Sequence, residues 1–296
     1  MEITAKMVKE LRERTGAGML DCKKALEETQ GNIDEAIDYL RKKGMSKAAK
    51  KAGRVASEGL VFAAVSADAK TGAMVEFNSE TDFVAKNDEF RAFGELLVKT
   101  ILEGNYADVA ALKSATVNGK TIDESLTELI AKIGENMNIR RFEKATAPEG
   151  FVATYIHMGG KIGVLLNVKG DSSDDSKAVA KDVTMHIAAI APKFLQKSEV
   201  TTDVIDKEKE IARAQLEAEG KPAAVIEKIL EGKMRKYYEE SCLVEQKFVK
   251  NPDVTISALI KGKFDIVSYN RYLLGEGIEK EEVDFAEEVR RTVEGN

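Results

Sequence analysis

The sequence has 296 residues, of which 43% are hydrophobic and 32% charged, a composition typical of a soluble globular protein with room for more than one domain. Its formal net charge of −6 argues against a nucleic-acid-binding protein, because binding to phosphates requires clustered Lys and Arg. The longest apolar runs are too short to span a bilayer, the first residues lack the apolar stretch of a signal peptide, and the two cysteines lie far apart. We therefore expect a cytoplasmic protein that binds neither nucleic acid nor membrane.

The motifs that usually mark an enzyme are missing from the sequence. His157 and His186 are the only histidines, and no Cys/His cluster has the spacing of metal ligands. Residues 119–121 resemble the end of a phosphate-binding loop, but Ser114 stands where that motif requires glycine. We therefore expect no catalytic site, no metal, no cofactor and no direct binding of nucleotide.

Three short helices are predicted over residues 1 to about 44. Gly16 and Gly18 separate the first two helices, since paired glycines allow a sharp turn. The third helix carries apolar residues at i, i+3, i+4 and i+7 and is predicted to end before Gly44. Three helices in so few residues form a small bundle similar to a ubiquitin-associated domain, and the basic stretch that follows it, 46–57, is predicted as a partly helical linker.

Two hairpins, each followed by an amphipathic helix, are predicted next. Their strands span 59–66 with 73–78, and 151–157 with 162–168. The tripeptide Val-Ala-Lys recurs after each hairpin, at 84–86 and 179–181, which indicates an internal duplication. Between the two units, Thr121 and Glu124 have the spacing of a capping box, which predicts the start of a further helix.

A charge-rich helical hairpin is predicted over residues 203–240, with its turn at Gly220-Lys221-Pro222. Its thin apolar seam is predicted to contain Ile211, Ala214, Leu216, Val225, Ile226, Ile229, Leu230 and Met234. Such an arm buries little surface by itself, which leaves two interpretations. The arm binds a partner, or it packs only against the rest of its own chain. The chain then returns through strands at 246–249 and 264–274, with a short helix from Thr255, and a charged helix is predicted at 279–292.

The predicted fold class is α+β: an amino-terminal three-helix bundle, two related antiparallel hairpin-plus-helix core subdomains, and a protruding antiparallel helical hairpin. The predicted domains are the bundle at 1–45, the basic linker at 46–57, a first core subdomain at 58–145, a second core subdomain at 146–200 and 241–275, the arm at 201–240, and a carboxy-terminal helical module at 276–296.

Six segments, taken together, resemble the elongation factor Ts family in sequence and in order. They are RERTGAGMLDCKKAL at 12–26, NSETDFVAK at 78–86, IGEN with IRR within 133–141, HMGGKIGVL at 157–165, MHIAA at 185–189 and GEGIEK at 275–280. Each motif alone is weak evidence, but six in the order of the family cover nearly the whole chain.

The resemblance implies a guanine nucleotide exchange factor for translation elongation that binds the GDP form of elongation factor Tu, a GTPase, and promotes GDP release so that GTP can bind. It implies that the family's Asp-Phe pair disturbs the magnesium and phosphate site; here the segment is Thr81, Asp82, Phe83 and Val84. It also implies contacts to the GTPase from the bundle and the core, at Arg12, Met19, Leu20, Lys23 and His157. The arm would contact either the GTPase or another copy of the chain, as a homodimer.

Other readings of the same residues remain open at this stage. Phe83 alone is typical of a core residue after a strand, and Asp82 is typical of a turn. His186, between apolar neighbours on a predicted helix, is expected to be a packed, hydrogen-bonded structural residue. A ubiquitin-type adapter would use only the small bundle, and a hydrolase or transferase built on Asp82 and His157 would lack a nucleophile motif.

Overall fold

The computed structural model of the chain describes residues 3–279, except for the side chain of residue 224. Its helices are α1 (Ala5–Thr15), α2 (Met19–Glu28), α3 (Ile33–Ala49), α4 (Asp88–Glu103), α5 (Val109–Ser114), α6 (Ile122–Ile133), α7 (Asp174–Ile190), α8 (Thr202–Ala218), α9 (Ala223–Ser241) and α10 (Ile256–Ile260). No helix within residues 3–279 combines the length and the apolar character that crossing a membrane requires.

The strands form two three-stranded antiparallel sheets and two small hairpins. They are β1 (Glu58–Val65), β2 (Thr71–Ser79), β3 (Thr116–Val117), β4 (Lys120–Thr121), β5 (Met137–Thr146), β6 (Gly150–His157), β7 (Ile162–Gly170), β8 (Lys247–Phe248), β9 (Asn251–Thr255) and β10 (Phe264–Leu273). The first sheet has the order β1-β2-β5 and the second β10-β7-β6. With helices at the amino terminus and antiparallel sheets after them, the predicted α+β class is confirmed.

The three amino-terminal helices share a small core of their own. Its buried residues are Val8, Leu11, Cys22, Ala25, Leu26 and Ala36. The prediction that the third helix ends before Gly44 was wrong, because α3 continues to Ala49. Tertiary packing explains the difference: α3 lies against α6, and a Cβ atom at position 44 would be only 3.3 Å from the Cβ of Ala131. Glycine therefore serves close helix packing here and does not end the helix.

The first sheet is covered by α4 and α6, which bury its apolar face. The ring of Phe77 on β2 stacks on that of Phe90 at 4.4 Å, and Phe93 packs at 5.3 Å in a tilted arrangement. The predicted capping box of α6 is confirmed, since Glu124 N–H donates to Thr121 Oγ1 and Thr121 N–H donates to the Glu124 carboxylate. Residues 108–120, for which the sequence patterns predict no structure, contain α5 and the β3–β4 hairpin, whose last residue is Thr121.

The second sheet packs on α7 around another core. Its buried members include Phe151, Val164, Leu166, Val183, Ile187 and Phe264. The strand predicted at 246–249 is present as β8, which pairs with β9, a strand that the sequence did not predict. The helix predicted at 279–292 lies outside the described residues after Glu279, as does most of the module predicted at 276–296.

Helices α8 and α9 form the predicted antiparallel pair with a seam of its own. Its buried residues are Ala212, Leu216, Ile226 and Leu230, with Ile229 packed against them. Three seam predictions were wrong: Ala214 is exposed, and Ile211 and Val225 expose 46% and 45% of their surface. The actual seam follows i, i+4 spacing from Ala212, so a residue one position away points outward.

The two sheets face each other across a buried layer of side chains. This layer contains Val61, Met74, Ala147, Val152, Leu165 and Tyr272. The approach is close at Gly163 on β7, where a Cβ atom would lie 2.4 Å from Val61 Cγ1 and 2.8 Å from Met74 Sδ. Any larger residue at this position would force the sheets apart.

A buried carboxylate joins the sheets at the edge of this layer. Glu76 on β2 has no exposed side-chain surface, and it accepts hydrogen bonds from Arg140 at 2.9 Å and from Arg141 at 2.6 Å, both on β5. It also accepts from the Gly275 N–H at 2.8 Å, just after β10. The Arg141 guanidinium lies 4.1 Å from the ring centroid of Tyr272 on β10. Glu76 thus connects β2, β5 and the end of β10 at one point.

The ionisation of Glu76 depends on these partners. Burial alone would raise its pKa, but the hydrogen bonds from Gly275, Arg140, Arg141 and Asn78 outweigh burial and hold the pKa below its usual value. The carboxylate therefore stays charged at neutral pH. Because its pKa is lower in the folded than in the unfolded chain, its contribution to stability is complete above about pH 4.5 and is lost as the pH falls through the lowered pKa.

We expect Glu76→Gln to lower the free energy of unfolding by about 3 kcal/mol at pH 7, the lower end of the range for breaking a buried ion pair, because both arginines still reach water. Denaturant unfolding of the two proteins measures this difference. The difference should shrink below about pH 4.5, where the carboxyl group of the unfolded chain takes up a proton, and it should be lost as the pH falls through the lowered pKa of the folded protein. An equal difference at pH 7 and pH 3.5 would show that charge is not the cause.

Candidate partner-binding site

The loop between β2 and α4 presents Asp82 and Phe83 to solvent. The Phe83 side chain is 76% exposed, the highest value of any aromatic ring among the exposed large hydrophobic residues of the described chain. Asp82 is also exposed, with 53% of its side-chain surface accessible. The next two residues turn inward, since Val84 and Ala85 are buried in the core of the first sheet. The alternative that Phe83 is a core residue is therefore wrong, and Val84 anchors the loop from below.

Lys86 lies beside both exposed residues. Its ammonium is 3.2 Å from the Asp82 carboxylate and 5.3 Å from the centroid of the Phe83 ring. A short 3-10 turn brings it there, with the Lys86 N–H donating to the Phe83 carbonyl at 3.1 Å. The loop therefore offers an apolar ring, a carboxylate and a flexible cation side by side, a set suited to contact with another charged surface.

The bundle exposes a second apolar group at the start of α2. Leu20 is 83% exposed and Met19 is 61% exposed. Arg12 and Lys23, the charged residues that the sequence predicts for the same surface, are also exposed. These four residues belong to the end of α1 and the first turns of α2, on either side of the turn at Gly16, so they flank one corner of the bundle.

Helix α6 brings this corner towards the Phe83 loop. The Lys132 ammonium lies 2.7 Å from Glu89, in the first turn of α4, and 3.2 Å from the position that a Cβ atom on Gly16 would occupy. Lys51, after α3, donates to the carbonyl of Gly134 at the other side of the same helix end. The end of α6 therefore connects the bundle at Gly16 with the first turn of α4, which follows the Phe83 loop.

The turn between β6 and β7 carries the third predicted contact, His157. Its Nδ1 atom is 2.9 Å from the Tyr155 hydroxyl. The turn docks onto β1, because Gly160 accepts from the Val61 N–H at 2.8 Å and a Cβ at position 160 would lie 2.7 Å from Leu60 Cδ2. With φ at +104°, this position also has a backbone conformation that favours glycine. The neighbouring Met158 is 68% exposed.

This turn and the Phe83 loop lie at the same end of the sheets. Lys161, after the turn, bonds to Glu58 at the start of β1 at 2.9 Å. Glu58 pairs with Ser79, the last residue of β2, from which the chain enters the Phe83 loop. Asp82 bonds to Lys86 and His157 to Tyr155, so within residues 3–279 the two predicted catalytic partners of a hydrolase do not form a pair.

The second histidine is structural, as its sequence context predicted. His186 is fully buried on α7, and its Nδ1 accepts from the Val249 N–H at 3.2 Å. Its Nε2 must then carry the proton and donate to Gln246 Oε1 at 2.8 Å. Burial lowers the pKa of His186, which keeps the ring neutral.

The possible metal ligands and the two thiols bear on whether this surface holds a reactive site. Within residues 3–279, no group of three or more His, Cys, Asp or Glu side chains is arranged to hold a metal ion. Both cysteines are buried, and burial raises the pKa of each thiol, which makes a thiolate nucleophile unfavourable.

Comparison with known proteins decides the family. Residues 80–276 match the family model described as elongation factor TS. The chain is 50% identical over 297 residues to elongation factor Ts of Halothermothrix orenii, with 99% of each chain covered. It is also 50% identical over 304 residues to elongation factor Ts of Clostridium kluyveri, again with 99% of each covered. The chain belongs to the elongation factor Ts family.

Elongation factor Ts is the nucleotide exchange factor for elongation factor Tu in translation elongation; it binds that GTPase and is not an enzyme. The family model spans the Phe83 loop and His157, and the full-length relatives also cover the bundle. Sequence reasoning found the exposed residues but missed Lys86, which touches both Asp82 and Phe83. Its spacing of i+4 from Asp82 was the available signal.

Proposed function

We propose that this elongation factor Ts releases GDP by inserting Phe83, with Asp82 beside it, against the magnesium and phosphate site of elongation factor Tu. One observation carries the proposal: a phenylalanine that is 76% exposed stands on a loop anchored to the core on both sides. Water exposure of such a ring is unfavourable in the free protein. Burying it in a partner contributes about 1.5–3 kcal/mol, which can offset part of the cost of opening a packed switch region.

Asp82 acts in the same direction through charge. Magnesium requires nearly ideal octahedral geometry and oxygen ligands, so an extra carboxylate nearby disturbs its coordination by protein and phosphate. In the free protein Lys86 holds this carboxylate at 3.2 Å. We infer that Lys86 can bind a phosphate group when the loop enters the site, since its contacts with Asp82 and Phe83 are exposed to solvent.

Linkage sets the thermodynamic requirement for this activity. An exchange factor must bind the nucleotide-free GTPase more tightly than the GDP-bound form, because a ligand with equal affinity for both states shifts no equilibrium. Bound nucleotide then weakens the binding of the factor by the same free energy. The Phe83 ring, which we call the wedge, would fit against the GTPase only when the phosphate site is open. This selective fit supplies the difference in affinity.

The remaining predicted residues are proposed as contacts that hold the GTPase while the wedge acts. Met19 and Leu20 provide apolar surface from the bundle, with Arg12 and Lys23 as charged neighbours, and His157 marks the contact of the second sheet. The exposure of Met19, Leu20, Arg12 and Lys23 supports this assignment. The bundle would then grip the G domain while the second core subdomain reaches a further domain of the GTPase.

We also propose the domain division predicted above: a bundle similar to a ubiquitin-associated domain, two related core subdomains and a protruding arm. Separate hydrophobic cores for the bundle, for each sheet and for the α8–α9 seam support it. The outward-facing Ile211 and Val225 support a protein contact on the arm, either with the GTPase or with a second copy.

Deletion of residues 207–236, bridged by a short Gly-Ser linker, is expected to leave a core that unfolds cooperatively, because the seam is local to the arm. Sedimentation velocity of the full chain and the deletion variant distinguishes the partners. A dimer that requires the arm would indicate self-association. Two monomers, with weaker binding of the GTPase by the deletion variant, would indicate contact with elongation factor Tu. Loss of cooperative unfolding would contradict the proposed boundary.

We expect Phe83→Ala to slow factor-stimulated release of fluorescent GDP from elongation factor Tu by roughly thirtyfold, since truncating a ring at an interface centre costs about 2 kcal/mol. Because the ring is exposed in the free protein, the thermal midpoint should stay nearly unchanged. A buried phenylalanine would instead cost about 3–5 kcal/mol of stability.

Val65→Ala is the matched control for Phe83→Ala. Val65 is also apolar and 40% exposed, but it pairs with Gly72 at the end of the first sheet opposite the Phe83 loop. The Val65→Ala variant should stimulate GDP release at the wild-type rate. A normal exchange rate for Phe83→Ala, or an equal loss in both variants, would refute the assignment of Phe83 as the wedge.

A further inference from the structure

Two glutamates form a reciprocal clasp under the Phe83 loop. The Glu135 carboxylate, in the segment between α6 and β5, accepts from the Thr81 N–H at 3.0 Å and from the Thr81 hydroxyl at 2.8 Å. In return, Glu80 accepts from the Asn136 N–H at 2.5 Å. Each segment therefore uses a side chain to bind the backbone of the other. We call these four residues, Glu80, Thr81, Glu135 and Asn136, the clasp.

The clasp also holds the linker that leads from the bundle. The Asn136 side-chain amide donates to the carbonyl of Arg54 at 2.7 Å, and the Arg54 guanidinium is 3.4 Å from Glu80. Asn136 is itself buried, with 8% of its surface exposed. The bundle linker, the end of α6 and the start of the loop thus meet at one network of hydrogen bonds.

The position of the clasp in the sequence gives it a mechanical consequence. Asp82 and Phe83 stand between two fixed points, Thr81 in the clasp and Val84 in the core. Their own side chains both contact Lys86, an exposed and flexible partner. With both flanking residues fixed, the backbone at Asp82 and Phe83 has little freedom left, so the ring points outward before a partner arrives. Preorganisation of this kind removes an ordering cost from the binding step.

The hydrogen bonds to Glu135 are stronger than ordinary ones. A carboxylate that accepts from a backbone N–H and a hydroxyl together makes charge-assisted bonds, which are about twice as strong as neutral ones. The two bonds also fix the orientation of Thr81, since its backbone and its side chain are bound to the same group.

We propose that Glu135 is a positioning residue for nucleotide exchange: its two-point grip on Thr81 holds Asp82 and Phe83 in the geometry that enters elongation factor Tu. The inference rests on the proposed function of the loop. It assigns Glu135 no contact with the GTPase; the residue acts through Thr81 alone.

Three variants distinguish the effect of the Glu135–Thr81 hydrogen bonds from the effect of the charge on Glu135. Glu135→Ala removes both bonds. Glu135→Gln keeps a carbonyl oxygen for the Thr81 N–H and an amide N–H for the Thr81 oxygen, so it preserves the geometry without the charge. Thr81→Val removes only the hydroxyl. We expect the release rate at saturating factor to fall about tenfold for Glu135→Ala and less for Thr81→Val, and to stay near wild type for Glu135→Gln.

A matched control lies on the neighbouring helix. Glu128, on α6, forms an ion pair with Lys120 at 2.7 Å, at the start of the same helix and not in the clasp. Glu128→Ala removes a glutamate and its bonds from the same region, and it should leave exchange unchanged. Thermal unfolding of every variant identifies any that are not folded, and Thr81→Val tests the grip independently if Glu135→Ala unfolds.

The deciding measurement is a double-mutant cycle with Phe83→Ala, read as the rate of fluorescent-GDP release at saturating factor. If Glu135 acts only by positioning the loop, Glu135→Ala should cause little further loss once the ring is gone. An equal fold-loss with and without Phe83 would overturn the proposal, because it would show a general structural effect. A wild-type rate for Glu135→Ala would also overturn it. If Phe83→Ala itself exchanges normally, the proposed function fails first, and the role of Glu135 falls with it.

Discussion

The structure depends on one buried carboxylate that joins three strands from two sheets. Glu76 lies on β2, its arginine partners lie on β5, and its backbone partner Gly275 follows β10. A buried charge is costly unless every lone pair is used, and here four donors converge on it. Since three of these donors, Arg140, Arg141 and Gly275, come from segments far from Glu76 in sequence, the charge is fully satisfied only when both sheets are correctly placed. Glu76 therefore favours one arrangement of the sheets over its alternatives.

That arrangement determines where the proposed contact residues lie. The paired ends of β1 and β2 support the Phe83 loop, and the β6–β7 turn with His157 docks on β1 beside them. The end of α6 then connects this region to the bundle through Lys132. An exchange factor has to push at one point while it holds the GTPase at others. Rigid sheets with several exposed groups at one end meet this requirement, because force on the ring is resisted by the core.

The sequence predicts what local patterns encode and misses what distant partners decide. The capping box of α6 and both hairpins were predicted because their signals lie within a few residues. Strand β5 was missed because its charged residues look solvent-facing until Glu76, more than sixty residues earlier, is placed opposite them. The role of Glu135 was hidden for the same reason, although its motif was recognised. A single charge within the apolar run of β2 was the one available signal for Glu76.

Photo-crosslinking from position 83 tests the central claim most directly. A benzoylphenylalanine placed there, mixed with elongation factor Tu in the absence of nucleotide, should crosslink to the G domain beside the magnesium and phosphate site. Excess GDP should suppress the crosslink, because nucleotide and wedge exclude each other. Crosslinks to another surface of the GTPase, or a yield that GDP does not change, would contradict the account.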